Sequence, residues 1–218
     1  MHSRIEQRTV DFFQRIWPQF PVLTCQVDEN ADGTVDRDWV DFNSNGKVDD
    51  ELDLDGAECL VFFLGGISDH GSPIGFGRDP KNPFSRGEKR EGPFFELTDK
   101  SRLIDRDRDG FPELIDTLDG QVNPYLYFSA YDGAGYSFHI DCETADNGAF
   151  EPYYMAGNPR LDRKQVKWYK PLSMQIISPG KDGKYGAGGH LPPENEPRTV
   201  PKDERDNITN FSVGRIER

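Results

Sequence analysis

Three cysteines, Cys25, Cys59 and Cys142, are all that the 218 residues contain. None stands in a C-x-x-C pair, which excludes the usual zinc and redox motifs. An odd count this small is no disulfide scaffold. One bridge is allowed without a preferred pair, and three buried small hydrophobes are an equal reading. Long apolar runs are missing too. The longest, Cys59 to Leu64, meets Gly65-Gly66 far short of the roughly 20 residues that cross a bilayer. No signal peptide opens the chain, because residues 1–8 are polar and charged. Catalytic motifs are absent. His2, His70, His139 and His190 make no H-E-x-x-H, and no G-x-S-x-G elbow exists. Ser68-Asp69-His70 is a loop tripeptide, whereas triads assemble in space. Gly186 to Gly189 lacks the Lys-Ser/Thr of a phosphate loop. Basic charge is scarce: 26 Lys and Arg against 39 Asp and Glu, net −13. Such a surface repels nucleic acid and anionic lipid and attracts cations. A non-enzymatic protein is expected.

Apolar residues are only 34%, offset by 15 Phe, 8 Tyr and 3 Trp. With 22 Gly and 16 Pro, the composition predicts a single domain over 1–218 with large loop insertions. Residues 3–17 read as an amphipathic helix with an apolar stripe of Phe12, Phe13, Ile16 and Trp17, extended towards Ile5 and Thr9. Ser3 with Glu6 fits a capping box, and Pro18 and Pro21 end the segment. After the polar stretch 28–55 comes a short helix. Asp55 is its N-cap, Glu58 its N3 residue and Gly65 its left-handed C-terminal position. The apolar run 59–64 should be buried. Residues 67–95 read as an irregular loop. Strands are expected at 125–129, 136–140 (joined as a hairpin), 172–178 and 208–213, with a loop over 179–206. The fold class is α+β, one helix followed by an antiparallel sheet.

The acid is concentrated at alternate positions. D-x-[DN]-x-[DN]-G occurs three times, starting at Asp28, Asp41 and Asp105. Calcium takes six to eight oxygens at about 2.3–2.6 Å, and short oxygen side chains at positions 1, 3 and 5 can wrap one ion. The loop 105–116 continues best: Asp105, Asp107 and Asp109, then Phe111 through its carbonyl, Glu113 at position 9 and Asp116 at position 12. Arg106 and Arg108, at even positions, should point outward. The first loop offers Asp28, Asn30, Asp32 and Asp36, and the second Asp41, Asn43, Asn45 and Asp49. Both lack an acid at position 12, so Asp38, Asp50, Glu51, Asp53 or Asp55 would complete them. The competing reading of each loop is an acidic turn built on Asx bonds.

The C-terminal half carries another pattern. Ser178-Pro179-Gly180-Lys181-Asp182-Gly183-Lys184-Tyr185-Gly186 is followed, after an insertion, by Asp206-Asn207-Ile208-Thr209-Asn210-Phe211. This resembles the end of the major pseudopilins of the type II secretion system, in the type IV pilin-like superfamily. The segments Leu60 to Gly66, Gly92 to Glu96, Asp109 to Glu113 and Pro124 to Phe128 look similar to a pseudopilin-like set from planctomycete-type bacteria. The resemblance implies an N-terminal helix packed on a small antiparallel sheet with long calcium-stapled loops. It implies a C-terminal Ca2+ site from Asp182, Asp206 and Asn207, completed by Ser178 or nearby carbonyls. It also implies assembly with other pseudopilin subunits and the secretion machinery, in the periplasm, on a membrane-anchored parent. The family's upstream hydrophobic half-helix is missing, so residues 1–18 are a helix remnant and the chain as given is expected to be monomeric. The insertion 188–205 departs from the family. Asn207-Ile208-Thr209 and Asn210-Phe211-Ser212 fit glycosylation sequons but read as strand residues. The alternative is a secreted calcium-binding adhesion or scaffold module with dockerin-like loops.

Overall fold

The computed structural model describes residues 7–20, 26–27, 37–38, 54–87, 89–97, 99–130, 133, 135–137 and 150–217. The predicted Ser3–Glu6 capping box, Cys25, Cys142 and, apart from residues 37–38, the two loops between residues 28 and 49 lie outside these residues. Helix α1 runs Gln7–Ile16. Its last turn continues through a Trp17 N–H bond to the Phe13 carbonyl at 2.7 Å, and then Pro18 intervenes. Phe13 is buried, but Ile16, predicted in the same stripe, is 42% exposed. Phe12 meets Phe63, Phe13 meets Phe84, and Trp17 meets Phe76 edge-on at 4.9 Å. The ring contacts described for α1 thus go to a helix, to a loop segment and to a two-residue strand at Phe76, whereas the sequence expected packing on the main sheet.

Helix α2 runs Gly56–Gly65, and its start is the predicted capping box. The Asp55 N–H donates to Glu58 Oε2 at 2.7 Å, and the Glu58 N–H to Asp55 Oδ1 at 2.8 Å. Two orphan donors are satisfied reciprocally, a cap worth about 1 kcal/mol. Leu60, Val61 and Phe62 are buried, while Cys59, Phe63 and Leu64 of the same run are only half-buried. The left-handed residue is Gly66 (φ 86), one later than predicted. Gly66 bridges to Gly75 so closely that a Cβ would overlap the Gly75 backbone, so no other residue fits there.

The chain divides into two compact units. One takes residues 1–53 and 62–98, and the other residues 54–61 and 99–218, with the division inside α2. The core of the first unit is aromatic. Phe84, fully buried, is ringed by Phe13, Trp17, Phe20 and Phe62. The predicted loop 67–95 contains two-residue ladders, Ser68–Asp69 with Ser72–Pro73 and Phe76–Gly77 with Arg90–Glu91. Elsewhere its carbonyls need partners. Arg90 supplies them, donating to Ile74 and Gly75 at 2.7 Å each and to Ser85 at 2.9 Å.

The second unit holds two three-stranded sheets. Met174–Ser178 lies between Leu126–Ser129 and Ile208–Thr209, both antiparallel to it. Glu151–Ala156 pairs antiparallel with Lys167–Trp168 and parallel with Gly188–His190. Of the predicted second hairpin strand, Tyr136 and Ser137 are not in a strand, and residues 138–140 lie outside the described set. Gly135 instead takes φ 84 against the Trp168 ring, and Tyr136 is fully buried with its hydroxyl on the Lys170 carbonyl at 2.8 Å. The last strand is shorter than predicted, and Gly188–His190 forms within the predicted loop 179–206. Fully buried Gln175 joins the sheets. Its Oε1 accepts from the Tyr153 N–H at 2.8 Å, and its Nε2 donates to the Tyr153 and Tyr169 carbonyls at 2.9 and 3.0 Å. The described architecture is thus α+β, with two α-helices and several small, mostly antiparallel sheets.

Candidate cation sites

Short strands Leu103–Ile104 and Glu113–Leu114 pair and bring the ends of the loop 105–112 together. Within it the acids fold the loop on itself. Asp105 Oδ2 accepts from the Gly110 N–H at 3.2 Å, Asp107 Oδ1 from the Asp109 N–H at 3.2 Å, and Asp109 Oδ1 from the Phe111 N–H at 2.7 Å. Arg108 (φ 68) and Gly110 (φ 95) take the turn. All three aspartates are exposed.

The other predicted ligands of this loop are engaged elsewhere. Arg106 turns back, against expectation, and its Nε binds Glu113 Oε1 at 2.8 Å while its N–H meets Oε2 at 3.2 Å. The Glu113 side chain is 3% exposed. Arg106 supplies a countercharge to this buried carboxylate. Asp116, also buried, accepts from Ser178 Oγ at 2.5 Å and from the Leu118 N–H at 3.3 Å. The twelve-residue loop therefore gathers its first half only.

The third carboxylate comes from α2. Glu58, Asp107 and Asp109 bring ligand oxygens within 4.8 Å of one another, so this trio could hold a metal ion. Glu58 is 3% exposed. Burial pushes its carboxyl up to about 8, the Asp55 N–H opposes, and the Asp55, Asp109 and Asp107 charges add to the rise. Asp109 is raised as well, by burial first and then by Asp107 and Asp105. Three acids this close either share a proton or take a cation. The sequence pointed to Asp107 and Asp109 but not to Glu58, whose place in the capping box already explained it.

The C-terminal pattern is brought together from its two halves. Ser178 pairs with Ile208, and Asp206 Oδ2 accepts from the Lys181 and Asp182 N–H groups at 2.6 and 2.9 Å. Asp182 Oδ1 accepts from the Lys184 N–H at 2.9 Å. Ser178, predicted as a ligand, is 1% exposed, and its hydroxyl is taken by Asp116 and by the Gly180 N–H. Asn207 is fully buried. Its Nδ2 donates to the Tyr185 carbonyl at 2.8 Å and to the Tyr153 hydroxyl at 3.3 Å, and that hydroxyl donates to Glu204 Oε2 at 3.0 Å. Glu204, also buried, accepts from the Ala187 and Gly188 N–H groups, and burial raises its carboxyl. Asn207 Oδ1 has no partner among the described residues. A buried oxygen left unpaired costs about 1–3 kcal/mol. An amide oxygen without a donor fits a hard cation, which accepts amide and carboxylate oxygens alike.

Asp28, Asn30, Asp32, Asp36, Asp41, Asn43, Asn45 and Asp49 lie outside the described residues. No helix of the described residues is long and apolar enough to cross a membrane. No family model, curated protein or solved structure matches the chain.

Proposed function

We propose that this chain is a calcium-binding structural subunit of a type II secretion pseudopilus or a related pilus-like filament. The observation that carries the reading is the meeting of the two halves of the C-terminal pattern, with Asp206 gripping the Lys181–Asp182 backbone and the next residue, Asn207, holding an unpaired buried oxygen. Asp182, Asp206 and Asn207 would hold one calcium ion. Glu58, Asp107 and Asp109 would hold a second. Calcium here does no chemistry. It supplies cohesion to Gly-rich loops that have little apolar surface to bury. The secreted module with dockerin-like loops has less support, because Glu113 and Asp116 are committed to Arg106 and Ser178.

Calcium at a hundredfold excess over Kd should add about 2.7 kcal/mol per site. At about 2–4 °C per kcal/mol for a chain of this size, chelation should lower the melting temperature by 5 °C or more, roughly. Calcium should restore it better than magnesium, which resists dehydration. An unchanged melt after verified metal removal would end the calcium reading. The filament reading has its own test. The charge of −13 opposes self-association. Sedimentation velocity should find a monomer at micromolar concentration. A stable, calcium-independent oligomer would favour the scaffold module.

A further inference from the structure

The turn 180–183 carries Asp182 between two glycines in left-handed backbone, Gly180 (φ 65) and Gly183 (φ 72). Such a turn has no intrinsic stiffness. One flank is held by Asp206, through the Lys181 and Asp182 N–H groups. The other flank is held by residues that the sequence pattern never included. Gln121 Nε2 donates to the Gly180 carbonyl at 2.7 Å, and Asn123 Nδ2 to the Gly183 carbonyl at 2.7 Å. Gln121 is itself locked. It is 9% exposed, and its Oε1 accepts from the Val122 and Asn123 N–H groups at 3.0 Å each.

We propose that Gln121 and Asn123 are positioning residues of the C-terminal cation site, fixing the carbonyls on either side of Asp182. The proposal rests on the calcium reading of that turn. Calcium needs its oxygens set at about 2.3–2.6 Å. A floppy turn must be ordered when the ion binds, and that cost is subtracted from affinity. Gln121 and Asn123 bear the ordering beforehand. They touch neither Asp182 nor Asp206 through any hydrogen bond described for them, so they act on Kd and not on the number of ions.

Gln121→Glu and Asn123→Asp test this, because charge and geometry predict opposite signs. Each keeps the side-chain shape and adds a carboxylate near the turn. By charge alone, calcium would bind more tightly. By positioning, the lost donor faces an acceptor, and binding weakens about tenfold, roughly 1.4 kcal/mol, at unchanged stoichiometry. Calorimetric titration of the full-length variants with calcium measures both quantities, and Asp206→Ala serves as the reference. If Asp206→Ala keeps the parent stoichiometry, the calcium reading of the turn falls and the proposal with it. If Asp206→Ala loses an ion while the two variants bind as tightly as the parent or tighter, the site stands and positioning is overturned. A lower melting temperature in chelator with an unchanged Kd also overturns it, since that marks a purely structural role. Should Gln121→Glu lose its far-ultraviolet dichroism, half-buried Asn123→Asp decides alone.

Discussion

Gln175→Leu is expected to be among the most damaging single substitutions in the second unit. It keeps most of the volume and removes every hydrogen bond of the side chain. The Tyr153 N–H loses its acceptor, and the Tyr153 and Tyr169 carbonyls lose a donor, all beside a residue with no solvent exposure. Each buried polar group left unsatisfied costs about 1–3 kcal/mol. The sum is on the order of 3–5 kcal/mol, in the range reserved for broken buried networks. At about 2–4 °C per kcal/mol, the melting temperature should fall by roughly 10 °C. Denaturant titration gives the free energy directly. A loss below about 1 kcal/mol would mean that the two sheets are held by apolar contact and not by this side chain.

Glu58→Gln should invert its effect with metal. The folded carboxyl sits at about 8 against an ordinary 4.5, so the folded state holds the proton more firmly than the unfolded chain. That contribution is full below about 4.5 and is lost as pH rises through 8. In chelator, the parent should therefore melt at progressively lower temperature between pH 5 and pH 8.5. Glutamine cannot ionise, yet it still accepts from the Asp55 N–H, since the capping box takes Gln as well as Glu. In chelator at pH 8 the variant should be stabilised by a few kcal/mol, on the scale of about 1.4 kcal/mol per pKa unit. In calcium the order should reverse, because a carboxylate of the trio with Asp107 and Asp109 is gone. Parallel pH profiles for variant and parent in chelator would show that Glu58 is not the titrating group.

Local chemistry was the legible part of this chain. The Asp55–Glu58 capping box is fixed by residues three apart, and the structure forms it. The aromatic spacing of α1 and the β-branched and aromatic runs at 126–129 and 174–178 gave elements that form. Glu151–Ala156 was missed because Pro152 reads as a breaker, while its flanking residues pair with partners far away in sequence. The pairing of Leu126–Ser129 with Met174–Ser178 joins segments too distant in sequence for any local rule to name. At the cation sites, alternation identified Asp107 and Asp109, but no local rule says that Arg106 will prefer Glu113 to solvent. That choice depends on Glu113 being buried. Gln121, Asn123 and the unpaired Asn207 oxygen exist as features only once residues about sixty apart are neighbours.

The central strand of the first sheet has an implication for birth on the ribosome. Leu126 waits for Ile177, and Ser178 waits for Ile208. Val200 and Ile216 belong to the same core. The nascent chain therefore carries this core unfilled until Val200 and Ile216 have emerged, with long loops to close before those contacts reward them. Apolar surface exposed for that interval is what chaperones recognise. The second unit is complete only once Ile216 has emerged, and a chain broken off before Asn207 lacks both the strand Ile208–Thr209 and the buried Asn207 side chain.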